Sequence, residues 1–146
     1  MVLATVTMSA KDKFHEVVKN ALKKDGWTIT DDPLKIRVTT TSKLYIDLGA
    51  ERILAANRNG EKIAVEVKSF IGASTMTEFH VAIGQYTNYR YALEDLQYEH
   101  ILYLAVPVTI YNDFFNDKFV QSVVQRSQVN LIIYDEEKEE VVKWQK

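Results

Sequence analysis

The stretch YIDLGAERILAANRNGEKIAVEVKSF, Tyr45 to Phe70, decides how the rest of the chain is read. It has the pattern of two strands joined by a turn. From Ile63 to Phe70 the residues are apolar at nearly every position except Glu66, Lys68 and Ser69, as in a central, mostly buried strand. Glu66 and Lys68 are two residues apart and therefore share one face of that strand. Burying both is expensive unless they pair or bind something. Asn57-Arg58-Asn59-Gly60 is a hairpin signal. A two-residue loop closed by Asn57 and Gly60 sets Glu51 opposite Glu66. A turn at Asn59-Gly60 sets Glu51 opposite Lys68. Either register collects Asp47, Glu51, Glu66 and Lys68 on one face, and a three-residue loop would break the arrangement.

Three carboxylates and a lysine on one face have the composition of a metal-dependent phosphodiester-cleaving site. Carboxylates are hard oxygen ligands for Mg²⁺ or Mn²⁺, and such a metal lowers the pKa of bound water. A lysine beside them neutralises charge that develops in the transition state. The competing reading is an ordinary cross-strand ion pair. The apolar strand around Glu66 and the acidic residues of its hairpin partner favour the site. Spacing makes Glu51 the expected metal ligand with Glu66, and Asp47 a nearby third.

These residues resemble the D…(E/D)-x-K signature of the restriction-endonuclease-like, PD-(D/E)xK, superfamily, with Asp47 or Glu51 followed by Glu66-Val67-Lys68. More narrowly, DLGAERILAA, IAVEVKSF, the GQY at Gly84–Tyr86 and FHEVVKNALKKDGWTITDDP resemble the XisH family over about Lys11 to Trp144. That resemblance implies a role in controlling excision of the fdxN DNA element in heterocyst-forming cyanobacteria. The implied partners are DNA, a site-specific recombinase and an XisI-like companion protein. It also implies two auxiliary site residues. In superfamily members resembling Holliday-junction resolvases, a glutamate of the first helix approaches the metal. The matching position here is His15, on the flank of the helix's apolar stripe, while Glu16 points to solvent. In related nucleases a residue of the helix after the E-x-K strand contacts the site, and the GQY match makes this Gln85.

Composition is compatible with that reading. The chain has 146 residues, 47% hydrophobic and 26% charged, as in one ordinary globular domain spanning residues 11–146. It contains no cysteine, which excludes disulfides and thiolate metal sites and suits a reducing cytoplasm. No apolar run reaches membrane-spanning length, so no membrane association is expected. Residues 1–10 lack the features of a signal peptide and are expected to be disordered. The net charge of −2 argues against strong non-specific polyanion binding by the chain as a whole.

Elsewhere the periodicity predicts a helix over Lys11–Lys24 ended by Asp25-Gly26, then a strand over Trp27–Thr30. Leu34–Lys43 reads as a solvated polar connection, the alternatives being an edge strand or a loop that touches a phosphate backbone. Ser74, or Thr75 with Glu78, caps a helix running to about Leu96. Arg90 falls inside its apolar stripe, as an ion-pair partner, a phosphate ligand or a subunit contact. The tyrosines at 86, 89, 91 and 98 lie on more than one face, an arrangement that suits homo-oligomerisation or a partner. Strands at Ile101–Val106, Val129–Tyr134 and Val141–Trp144 and a helix over Tyr111–Gln128 complete the chain. The expected fold is a three-layer, restriction-endonuclease-like α/β domain with an αβββαβ core and a central mixed sheet flanked by helices.

Overall fold

The computed structural model describes residues 10–54 and 57–146. Helix α1 (Ala10–Lys24) opens it. Val17, Val18, Ala21 and Leu22 recur at helical spacing and are buried. The helix stops because Gly26 takes φ +94°. The Trp27 N–H then bonds the Leu22 carbonyl (3.0 Å) and the Gly26 N–H bonds that of Lys23 (3.1 Å), which satisfies carbonyls the last turn leaves open.

Strand β1 (Thr28–Asp31) follows, then a two-stranded ribbon of β2 (Leu34–Arg37) and β3 (Lys43–Ile46). The main sheet adds β4 (Leu48–Leu54), β5 (Asn57–Val67), β6 (Ile101–Pro107), β7 (Leu131–Asp135) and β8 (Glu140–Gln145). Helix α2 (Thr75–Asp95) connects β5 to β6; α3 (Val108–Asp113) and α4 (Lys118–Arg126) connect β6 to β7. Strand order is β1-β4-β5-β6-β7-β8. The two crossovers are parallel, β5 to β6 and β6 to β7, and the remaining pairs are antiparallel.

Alternation along the central strands separates two cores. Ile63, Val65, Val67, Tyr103, Ala105 and Ile132 face α1. Ala64, Leu102, Leu104, Val106, Leu131 and Ile133 face the opposite way, packed with Phe79, Ala82 and Tyr86 of α2, Val120 and Val124 of α4, and the ribbon. Both faces of β5 and β6 are covered, which explains their continuous apolar runs. The protein is therefore an α/β fold with a mixed sheet between helical layers. Among the described residues no helix is long and apolar enough to cross a membrane.

Four sequence expectations need correction. Residues 34–43 are not a solvated connection: Leu34 and Ile36 are buried while Lys35 and Arg37 are exposed. The alternation is real but only four residues long on each strand. The helix expected over Tyr111–Gln128 is two, because the Asp117 carboxylate accepts from the Phe119 and Val120 N–H groups (2.8 and 3.1 Å) and starts α4 afresh. Ser74 caps α2 through the Thr77 N–H (3.2 Å), whereas Glu78 turns back to the Gly72 N–H (2.9 Å), so Thr75 and Glu78 form no capping box. Finally, Asn57-Arg58-Asn59-Gly60 is not the hairpin turn. Leu54 pairs with Asn57, so the connection falls on residues 55–56, outside the described residues. The register then shifts between Arg52 and Leu54, and Gly60, at φ +68°, lies in the extra length of β5 that absorbs the shift. The expected disorder of the N-terminus falls on residues outside those described, save Ala10, the first residue of α1.

Candidate active site

The corrected register decides which carboxylates meet. Leu48 pairs with Val65, Gly49 with Ala64 and Glu51 with Lys62. Glu51 therefore faces neither Glu66 nor Lys68, as either predicted turn would require. It lies four residues from Asp47 along the chain, ~13 Å of extended strand. Its charge acts instead on His100, the residue before β6. Glu51 shares the face of Glu66 by alternation but not its neighbourhood.

Asp47 takes the place assigned to Glu51. It stands at the break between β3 and β4, where the chain leaves the ribbon and enters the sheet. Its Oδ2 accepts the Val67 N–H at 2.8 Å. Continued in register, the ladder would set Ile46 against Val67; the Asp47 carboxylate meets that N–H instead. This fixes Asp47 against the end of β5, beside Glu66.

Glu66 points to the α2 side of the sheet, is only 5% exposed, and is the one buried charged side chain among the described residues. Burial pushes its carboxyl from the ordinary 4.5 up to about 9, helped by a hydrogen bond with the Asp47 carboxylate and by that group's charge. Lys68 and the Asp47 backbone N–H act in the opposite direction. At neutral pH Glu66 thus carries a proton and meets Asp47 as one half of a carboxyl pair. Lys68 follows on the same side, half-buried. Its backbone is held at both ends: the N–H bonds the Ala105 carbonyl (3.0 Å), and its own carbonyl accepts the Tyr134 hydroxyl (3.4 Å).

Helix α2 supplies a residue that sequence reasoning missed. Tyr89 interacts with Glu66 by charge and through its hydroxyl; burial first, then Glu66, push the phenol up to about 12. The signal was available, since Tyr89 is four residues after Gln85 and so shares its helical face. Gln85 keeps its place as a candidate: its Oε1 is buried with no hydrogen-bond partner. Tyr86, by contrast, is structural. Its hydroxyl donates to the Leu102 carbonyl (2.8 Å) and accepts the Asn130 N–H (3.0 Å). Tyr91 is exposed.

His15 does not join the pair. Its Nε2 is 2.7 Å from Asp32 Oδ1, and Lys19 reaches Asp32 Oδ2 at 2.9 Å, so His15 ties α1 to the segment after β1. Helix α1 also lies across the sheet from the face on which Glu66 projects. Arg90 is equally accounted for. Its Nη1 donates to the carbonyls of Ser127 (2.6 Å) and Gln128 (3.4 Å), at the C-terminal end of α4, where a cation is favoured.

Among the described residues no group of three or more His, Asp or Glu side chains is close enough to hold a metal ion. The donor set that does assemble is two carboxylates, with Lys68 beside them. Mg²⁺ sites use as few as one or two carboxylates, completed by waters and substrate phosphates, and this pair matches that number. A cation there would take the role of the proton that Glu66 holds.

The profile of the XisH protein family matches residues 8–142. An XisH family protein from Nostoc punctiforme PCC 73102, solved by crystallography, is 49% identical, with a TM-score of 0.84 over 92% of this chain and 100% of that one. The crystal structure of an fdxN element excision controlling factor protein from Anabaena variabilis is 48% identical, with a TM-score of 0.83 over 92% and 99% of the two chains. None of the curated proteins compared matches the chain. Since the profile spans nearly all of its 146 residues and both structures share its fold at close to half identity, this chain belongs to the XisH family.

Proposed function

We propose that the chain is a DNA-rearrangement factor that controls excision of a DNA element, with a metal-dependent phosphodiesterase centre at Asp47, Glu66 and Lys68. The carrying observation is Glu66, a buried acid on which the acting charges are another acid, Asp47, and Lys68 just past the end of its strand. A structural pair would match Glu66 with a cation alone; placing Asp47 against it costs stability and prepares a cation site. The topology supports a PD-(D/E)xK assignment, because α1, β1, β4, β5, α2 and β6 follow the αβββαβ order and the ribbon is an insertion.

Asp47 and Glu66 would hold Mg²⁺ or Mn²⁺, which supplies Lewis acidity and a water of lowered pKa. Tyr89 orients the Glu66 carboxyl. Lys68, fixed through its backbone, presents an ammonium where negative charge grows on the phosphate. Gln85 offers its amide to water or substrate beside the pair. The similar protein is described as an fdxN element excision controlling factor, a role exercised on DNA, which makes DNA the proposed substrate; the recombinase and XisI-like partners and a cytoplasmic setting are proposed from the family resemblance alone. Homo-oligomerisation through the exposed side of α2 is compatible with Tyr91 but not with Tyr86, which is buried.

A second reading has its own support. Because only two carboxylates meet, a regulator that retains the fold and binds DNA or the recombinase complex without cleavage would look the same. Cleavage of linear, branched and supercoiled DNA with Mg²⁺ or Mn²⁺ separates the two. Wild type should nick at least one substrate, and Lys68→Ala should bind metal and melt nearly as wild type yet fail to cleave. No cleavage with either metal, together with a Lys68→Ala melting point lowered by about ten degrees, would assign Lys68 to architecture and end the nuclease reading.

A further inference from the structure

The ribbon is two-faced. Its pairs are Leu34–Ile46, Lys35–Tyr45, Ile36–Leu44 and Arg37–Lys43. Leu34, Ile36 and Ile46 are buried in the core on the α2 side, and Leu44 packs against it. The other face presents Lys35, Arg37, Lys43 and Tyr45, all exposed, Tyr45 at 51%. Residues 33–46 carry these three cations and no carboxylate, in a chain of net charge −2. None of the three forms an ion pair among the described residues. Solvated faces ordinarily mix signs; this one does not. The tip, Val38-Thr39-Thr40-Thr41-Ser42, adds exposed hydroxyls, which donate readily to phosphate oxygens.

Position gives the face its meaning. β3 runs into Asp47 without an intervening loop. Lys43 is four residues from that carboxylate, ~13 Å along an extended chain, a span of about four base-pair rises of duplex DNA. We propose that the outward face of the β2–β3 ribbon contacts the phosphate backbone of duplex DNA and seats it against the Asp47–Glu66 pair. The inference rests on the phosphodiesterase reading and deepens it. An acidic pair repels a polyanion, and a cationic strip that begins beside it offsets that repulsion.

The test measures binding without cleavage: fluorescence anisotropy of a labelled short duplex in EDTA, from about 50 to 200 mM NaCl. Lys35→Ala/Arg37→Ala/Lys43→Ala removes only exposed side chains, and its melt checks folding. Lys23→Ala/Lys118→Ala/Arg126→Ala removes the same charge from α1 and α4. The ribbon variant should lower the slope of log affinity against log salt by about 2–3 and weaken low-salt binding at least roughly tenfold. The helix variant should keep the wild-type slope. Equal slopes for the two variants would overturn the ribbon assignment, as would wild type binding no duplex. Metal binding at Asp47–Glu66 is measured separately and stands or falls on its own. If a single-stranded RNA or polyglutamate binds as tightly as the duplex and depends equally on the ribbon, duplex DNA is the wrong occupant.

Discussion

Replacing Glu66 by glutamine should make the protein more stable at neutral pH. The folded carboxyl titrates near 9 instead of 4.5, so between those values the native state binds a proton that the unfolded chain has released. Stability is then complete below the unfolded pKa and declines as pH climbs toward the folded one. Each unit of pH crossed costs up to about 1.4 kcal/mol, giving about 3 kcal/mol at pH 7 and about 6 kcal/mol once Glu66 ionises. With the side chain only 5% exposed, solvent screens little of this. Glu66→Gln preserves shape and hydrogen bonding but has nothing to titrate. Urea denaturation of both proteins from pH 5 to 9 should show wild type falling relative to the variant by one to several kcal/mol. His100, whose pKa is lowered mainly by burial, titrates in part of this window with the opposite slope, so the difference between the proteins is the quantity to read. Parallel curves over the whole window would mean that Glu66 ionises in the fold at no cost, and the carboxyl-pair argument would fail.

Mn²⁺ should displace the Glu66 proton, releasing up to one proton per ion near pH 7.5, measurable by calorimetry in buffers of different ionisation heat. Asp47→Asn should weaken this binding tenfold or more while Glu51→Gln leaves it unchanged; the reverse pattern would restore the ligand set expected from spacing. Arg90→Ala should cost about 1.5–3 kcal/mol through two lost charge-assisted bonds at the end of α4. Amide exchange in α4 should speed up with metal binding unaltered, and lost DNA binding at unchanged stability would instead make Arg90 a phosphate ligand.

Much of the framework was legible because it is local. The apolar run of IAVEVKSF requires two covered faces, and the structure covers β5 with α1 on one side and α2 on the other. Gly26 and Ser74 act on their own helix ends and were found as such. The two-residue spacing of Glu66 and Lys68 puts them on one face in any register. Short signals were weaker. Four-residue alternation in β2 and a mid-segment aspartate cap at Asp117 are each outvoted by neighbouring polarity or helical periodicity.

What only the tertiary structure decided is the partner of Glu66. Asn-Gly requires a positive φ whether it makes a turn or a bulge, so the sequence around Gly60 is compatible with both. The choice rests on how β4 and β5 pair along their full length, and it sets Glu51 opposite Lys62, four residues along the strand from Glu66. Asp47 arrives because the chain breaks there to build the ribbon, a non-local event. Burial of Glu66 depends on α2 closing over it and bringing Tyr89 down on the carboxyl. Identity and parity of side chains are properties of the chain; register and desolvation are properties of the packed sheet, and these select which two carboxylates meet.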